Sequence, residues 1–293
     1  MANLKEIRTR LSSVKTTRQI TSAMKMVSAA KLRKAQDAII QMRPYASILQ
    51  QILEDLSQNV ESNAVDLFRK PREIKHVLLV VITSNKGLCG AFNANIVKSA
   101  ISEIQEEFRE LHAAGNVDIL CIGKKGGELI KSKGYKIKQS HHELFDSLNY
   151  ATVRPVAIDL IDHYLKGEYD LIKLHYNQFK NAATQEITVE QFLPLVEKKV
   201  KSYEKEYYDY ILEPSPDDII KDLIPKSLKI KLYKALLDSN ASEHGARMTA
   251  MHKATDNASE LIKSLQLEYN KARQASITNE ILEIVGGANA LNG

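Results

Sequence analysis

Apolar side chains recur three and four residues apart near the start of the chain, at Leu4, Ile7, Leu11 and Val14, then at Leu32, Ala35, Ile39, Met42, Ala46, Leu49, Leu53 and Leu56. That spacing is a heptad seam and predicts one long helix over residues 3–58, a stretch without glycine. Pro44 lies inside it. Because the apolar pattern resumes directly beyond, the proline is expected to bend the helix rather than end it. Between Val14 and Leu32 the seam register holds Arg18, Thr21, Lys25 and Ser28, while apolar residues shift to Ile20, Met24 and Val27. The shift predicts a stutter, where the helix faces something other than its companion.

Residues 71–212 change period. His76 to Thr83 is apolar and β-branched, as in a strand buried on both faces, and leads into a turn from Ser84 to Gly90. Expected next are a helix over residues 92–114, a strand over 117–122, a short helix over 126–132 and a strand near 135–139. A helix over 151–166, a strand over 169–176 and an alternating edge strand over 184–192 complete the pattern. Strands alternating with helices imply a mostly parallel α/β sheet.

From Asp217 to Val285 the helical period returns. Small or apolar residues fall at Leu237, Ala241, Met248, Met251, Thr255, Ala258, Ile262, Leu265, Tyr269 and Ala272, and Gly286-Gly287 is expected to stop the helix. Two heptad helices at opposite ends of the sequence pair most economically as an antiparallel coiled coil. The expected architecture is α/β plus α: a coiled-coil helix in residues 1–58, an inserted Rossmann-like α/β domain in 71–212 and a second coiled-coil helix in 217–293.

Composition narrows the function class. The chain has 293 residues, 44% hydrophobic and 26% charged, with 12 glycines and 7 prolines, which excludes wholesale disorder and collagen-like repeats. Its longest apolar run, Val77–Ile82, is far below the roughly 20 residues of a membrane-spanning helix. Two cysteines, Cys89 and Cys121, form no disulfide framework and have no zinc-ligand spacing, as in a reducing compartment.

The net charge of +5 is unevenly placed. Residues 1–43 carry ten basic and two acidic side chains, a balance of +8, so the remainder sums to −3. With no aromatic in residues 1–44, base stacking has no platform there, and an acidic protein partner explains the charge better than nucleic acid.

Motifs for chemistry are weak. Ser84-Asn-Lys-Gly-Leu-Cys-Gly90 follows a strand and opens a helix, but its Gly-x-x-Gly spacing matches neither a dinucleotide fingerprint nor a P-loop. Gly123-Lys-Lys-Gly-Gly127 likewise reads as a structural loop. His141-His142-Glu143 lacks the i,i+4 histidine pair of a metal site, and Cys89 has no evident activating partner. No cofactor is expected, and nothing reads as an active site.

Longer segments resemble a family. Leu4 to Arg8 with Thr17 to Leu32, Ala241 to Ala258, Tyr269 to Val285, Gly87 to Asn93 and Leu212-Glu-Pro214 resemble the gamma subunits of rotary F-type ATP synthases, over essentially the whole chain. The resemblance implies a noncatalytic central-stalk rotor that turns inside a ring of alpha and beta subunits and couples proton flow to ATP synthesis or hydrolysis at beta. It implies beta contacts at Met24, Lys25, Arg247, Arg273, Gln274 and Thr278. It further implies a foot at Tyr207, Tyr208, Asp209 and Tyr210 against the epsilon subunit or the membrane c-subunit ring. Nucleic acid is not an expected partner. A start at Met-Ala-Asn-Leu without a transit peptide points to peripheral attachment at the cytoplasmic face of a bacterial plasma membrane. Competing classes are a nucleotide-dependent enzyme built on the α/β domain and a coiled-coil adaptor.

Overall fold

A computed structural model describes residues 4–59, 67–69, 72–195, 213 and 215–291. Its contacts form two compact units, one of residues 1–28 with 248–293 and one of residues 29–247. Helices α1 (Leu4–Asn59) and α6 (Pro216–Leu291) contribute to both.

The larger unit is built on a five-stranded sheet of β1 (Val77–Ile82), β2 (Val117–Ile122), β3 (Gln139–His141), β4 (Leu171–Phe179) and β5 (Gln185–Leu193) in the order β3-β2-β1-β4-β5. All pairings are parallel except β4 with β5, which is antiparallel at the edge. The unbroken apolar run of β1 has its reason here. Leu78, Val80 and Ile82 enter one core with Leu160 and Tyr164, while Val77, Leu79 and Val81 enter the other with Ile96 and Ile104. Helices α2 (Phe92–Glu106) and α4 (Lys124–Ser132) supply the second core, and α5 (Tyr150–Leu165) the first.

The single helix expected over residues 92–114 is two: α2 stops at Glu106 and α3 runs Arg109–Ala113. Between them Phe108 takes φ −117° and ψ 25°, turning its ring into the core. The third strand lies later than its apolar signal, at residues 139–141, because Ile137 packs beside the core rather than in the ladder.

Helix α6 opens on a serine N-cap. Ser215 Oγ accepts the Asp218 backbone N–H at 3.2 Å and donates to the Asp218 carboxylate at 2.7 Å, with Pro216 at the first helical position. Its first turns cover the sheet through Ile220, Ile224, Leu228, Leu232, Ala235 and Leu236. At its other end Gly286 and Gly287 do not stop it. Neither takes a positive φ, and the helix runs on to Leu291 at a cost of about 1 kcal/mol per glycine relative to alanine.

In the smaller unit the helices pair antiparallel. Thr21 meets Thr255 at 2.9 Å between hydroxyl oxygens, and Lys25 Nζ lies 3.4 Å from His252 Nδ1. Ile7, Met251, Ala258, Ile262 and Leu265 are buried with them. The expected stutter is absent. Thr21 is 8% exposed and Ser28 is buried, so the contact line keeps its register, whereas Ile20 is 55% exposed and Val27 faces outward with it. Small hydroxyl side chains hold the seam by bonding across it and back to the helix, and the apolar residues are left outside.

Candidate functional site

The C-terminal ends of the parallel strands are where an α/β sheet receives ligands, above all where the strand order reverses. Here that point lies between β1 and β4. The three amides opening α4 are already used: Lys124 N–H donates to Asn85 Oδ1 at 3.1 Å, Lys125 N–H to Ser84 O at 3.0 Å and Gly126 N–H to Thr83 Oγ1 at 2.9 Å. Gly123, at φ 108°, passes so close that a Cβ would lie 2.3 Å from Thr83 O. Those three donors are spent within the chain.

The chain's own helix occupies the reversal point. Ser242 Oγ donates to Asn177 O at 3.1 Å near the end of β4, and a Cβ on Gly245 would come within 3.0 Å of Ala182 O in the following hairpin. Arg247, one turn on from Glu243, donates from Nη2 to Lys86 O at 2.9 Å and to Gly87 O at 3.3 Å, and from Nη1 to Glu243 Oε1 at 2.6 Å. Both members of the pair are buried. Burial pushes the Glu243 carboxyl up against the pull of Arg247, and burial with Arg247 and Lys31 holds His244 down to about 4, a neutral ring.

Cys89 lies beneath the same turn. Asn93 Nδ2 donates to its sulfur at 3.2 Å, and burial pushes its thiol up against Ser84 and Arg247. His141 Nδ1 sits 3.2 Å from Glu143 Oε1, a surface pair. Among the described residues no three His, Cys, Asp or Glu side chains gather around a metal position. A charged network on β4 was not read from the sequence. Lys173 Nζ meets Glu103 at 2.5 Å and Glu107 at 2.8 Å, and buried His175 Nε2 meets Glu103 at 2.6 Å. Burial opposes ionisation of Glu103, yet His175 and Lys173 hold it down to about 2. It joins α2 to the sheet.

The remaining functional candidates are surface residues of the long helices. Met24 and Lys25 on α1 are half-buried, Lys25 against His252. Arg273, Gln274 and Thr278 on α6 are exposed, and Thr278 Oγ1 donates to Gln274 O at 2.9 Å. Arg247 is not with them, since its fork is spent inside the larger unit. Tyr207, Tyr208, Asp209 and Tyr210 lie outside the described residues. Beyond Ala272, the last seam position, Ile277, Ile281, Ile284 and Val285 form an i, i+4, i+7, i+8 stripe left in solvent, with Ile284 71% exposed. No described helix is long and apolar enough to cross a membrane.

A family model described as ATP synthase matches residues 3–291. The chain is 58% identical to the ATP synthase gamma chain of Flavobacterium johnsoniae and 56% identical to that of Christiangramia forsetii, each over 293 residues and all of both chains. Among solved structures, a central-stalk and c-ring structure of the Tetrahymena thermophila mitochondrial ATP synthase is similar at 28% identity and TM-score 0.60, over 80% of this chain and 99% of that one. A Euglena gracilis mitochondrial ATP synthase structure shares the fold at 20% identity and TM-score 0.68, over 98% of this chain and 94% of that one.

Proposed function

The chain belongs to the ATP synthase gamma chain family, and from that membership we propose how its surfaces serve the central-stalk rotor of an F-type ATP synthase. In this reading the subunit turns within a ring of alpha and beta subunits and catalyses nothing itself, the chemistry belonging to beta. A beta site changes affinity only through differential contacts with each rotor orientation, so what matters on this chain is an asymmetric exposed surface.

Two surfaces suit that task. On α1, Met24 and Lys25 sit among basic side chains able to meet an acidic segment of beta. On α6, exposed Arg273, Gln274 and Thr278 meet beta by hydrogen bonding, and the stripe from Ile277 to Val285 supplies apolar contact to the ring. Tyr207, Tyr208, Asp209 and Tyr210 are assigned to the foot, facing epsilon or the c ring. Attachment is peripheral, at the cytoplasmic face of a bacterial plasma membrane.

The observation that carries the reading is the uncovered stripe on α6, which continues the apolar period past the end of its own seam. Co-purification with alpha and beta, followed by ATPase assay with and without this chain, tests it. Association and a rate dependent on the chain are expected; no association overturns it. Against an enzyme built on the α/β domain, calorimetry with NAD and with ATP is expected to show no heat of binding.

A further inference from the structure

The turn from Ser84 to Gly90 is held in an unusual shape. Leu88 is a non-glycine residue at φ 61°, and it is 65% exposed. A branched aliphatic residue in the left-handed region costs of order 1–2 kcal/mol, and its side chain recovers nothing by burial here. Something else must hold the backbone. The Lys86 carbonyl accepts from Ser84 Oγ at 2.7 Å and from Arg247 Nη2 at 2.9 Å, with Cys89 Sγ 3.9 Å away, and the Gly87 carbonyl accepts from Arg247 Nη2 and Nε at 3.3 and 3.4 Å. Two successive carbonyls therefore turn inward onto one guanidinium, while Lys86 and Leu88 turn their side chains outward. Glu243, buried and one helical turn away, fixes that guanidinium. A buried ion pair with a planar five-donor fork is costly to place and geometrically specific, which fits a clamp better than a surface contact.

We infer that Arg247 is a positioning residue: from α6 it clamps the strained β1–α2 turn, so that the ligand crevice of the α/β sheet grips the chain's own long helix. Ser242 on Asn177 and bare Gly245 against Ala182 belong to the same grip. The purpose of the clamp, keeping the α/β domain from slipping on the helix it turns with, rests on the rotor reading; the clamp itself does not.

The two native cysteines provide the test. Cys89 is buried under the turn and Cys121 is buried in β2. In the full-length chain, maleimide labelling under native conditions is followed by peptide mass spectrometry for wild type, Arg247→Met and Arg247→Lys. Loss of the charged fork should raise the Cys89 labelling rate on the order of tenfold in Arg247→Met, with Cys121 unchanged. Arg247→Lys keeps the charge beside Glu243 but reaches one carbonyl at most, and should fall between the two. An unchanged Cys89 rate in both variants overturns the clamp, as does an equal rise at Cys121, which would mean that Arg247 merely stabilises the whole domain. Co-purification of the wild type with alpha and beta is scored separately. Its failure removes the rotor reading and leaves the cysteine result standing.

Discussion

Thr21 and Thr255 face each other across the antiparallel seam with their hydroxyl oxygens 2.9 Å apart, at a register where an unbroken heptad would put two apolar side chains. Thr21 also donates back to Arg18 O at 3.1 Å and Thr255 to Met251 O at 2.7 Å, so each hydroxyl has an alternative partner on its own helix. Replacing Thr21 by valine trades its two hydrogen bonds for a buried methyl, leaves Thr255 its bond to Met251 O, and should change stability by no more than about 1 kcal/mol. Thr21→Asp places a charge in the same slot and should cost about 3 kcal/mol or more. Thermal unfolding of the two variants checks this; equal midpoints would mean that the seam is open at Thr21.

Asp238 is buried and lies 3.6 Å from Arg43, which reaches in from the surface. Desolvation is the dominant influence and raises its pKa, against Arg43 and Lys234, which lower it. A carboxyl whose folded pKa exceeds its unfolded value binds protons more tightly when folded, so its charge penalises the fold once pH rises above both values. Asp238→Asn should therefore raise the unfolding midpoint at pH 7. The gain should vanish as pH falls below the unfolded aspartate value of 3.8. Denaturant titration across that range decides; a variant less stable at pH 7 would show that Arg43 outweighs burial.

Met24→Lys adds a second positive charge beside Lys25 on the proposed beta-facing surface. ATP hydrolysis in the assembled enzyme should continue while ATP-driven proton pumping falls. Pumping at the wild-type ratio would remove Met24 from the contact set.

Ile281→Asp and Ile284→Asp change side chains that nothing among the described residues covers. The midpoint of the isolated chain should move by less than about 0.5 kcal/mol equivalent. Affinity for an alpha–beta ring should drop about tenfold or more if the stripe is buried on assembly. Titration of labelled chain into the ring measures it, and unchanged affinity would leave the stripe without a partner.

The sequence was legible where one physical cause dominates. β1 is buried on both faces and reads as continuous apolar residues, and the seam positions from Leu237 to Ala272 alternate as the heptad requires. It misled where tertiary contacts overrule the local pattern. Phe108 fits a helical period but breaks the helix to reach the core. Thr21 and Ser28 look like a gap in the seam and are its contacts. Gly286-Gly287 looks like a stop, yet a helix end in solvent meets nothing that forces a turn. The burial of Arg247 was not legible in the helical period. Glu243 four residues earlier, with the small residues Ser239, Ser242 and Gly245 on the same stretch, was the available sign of close packing.

The amides opening α4 and the carbonyls of the β1–α2 turn are satisfied from within the chain. A ligand that binds only the folded state raises stability by mass action, in proportion to the logarithm of its concentration over its Kd. With the cradle closed from inside, that lever is absent at this point of the fold. A member of the ATP synthase gamma chain family thus carries an α/β domain whose crevice is held shut, at that point, by its own side chains.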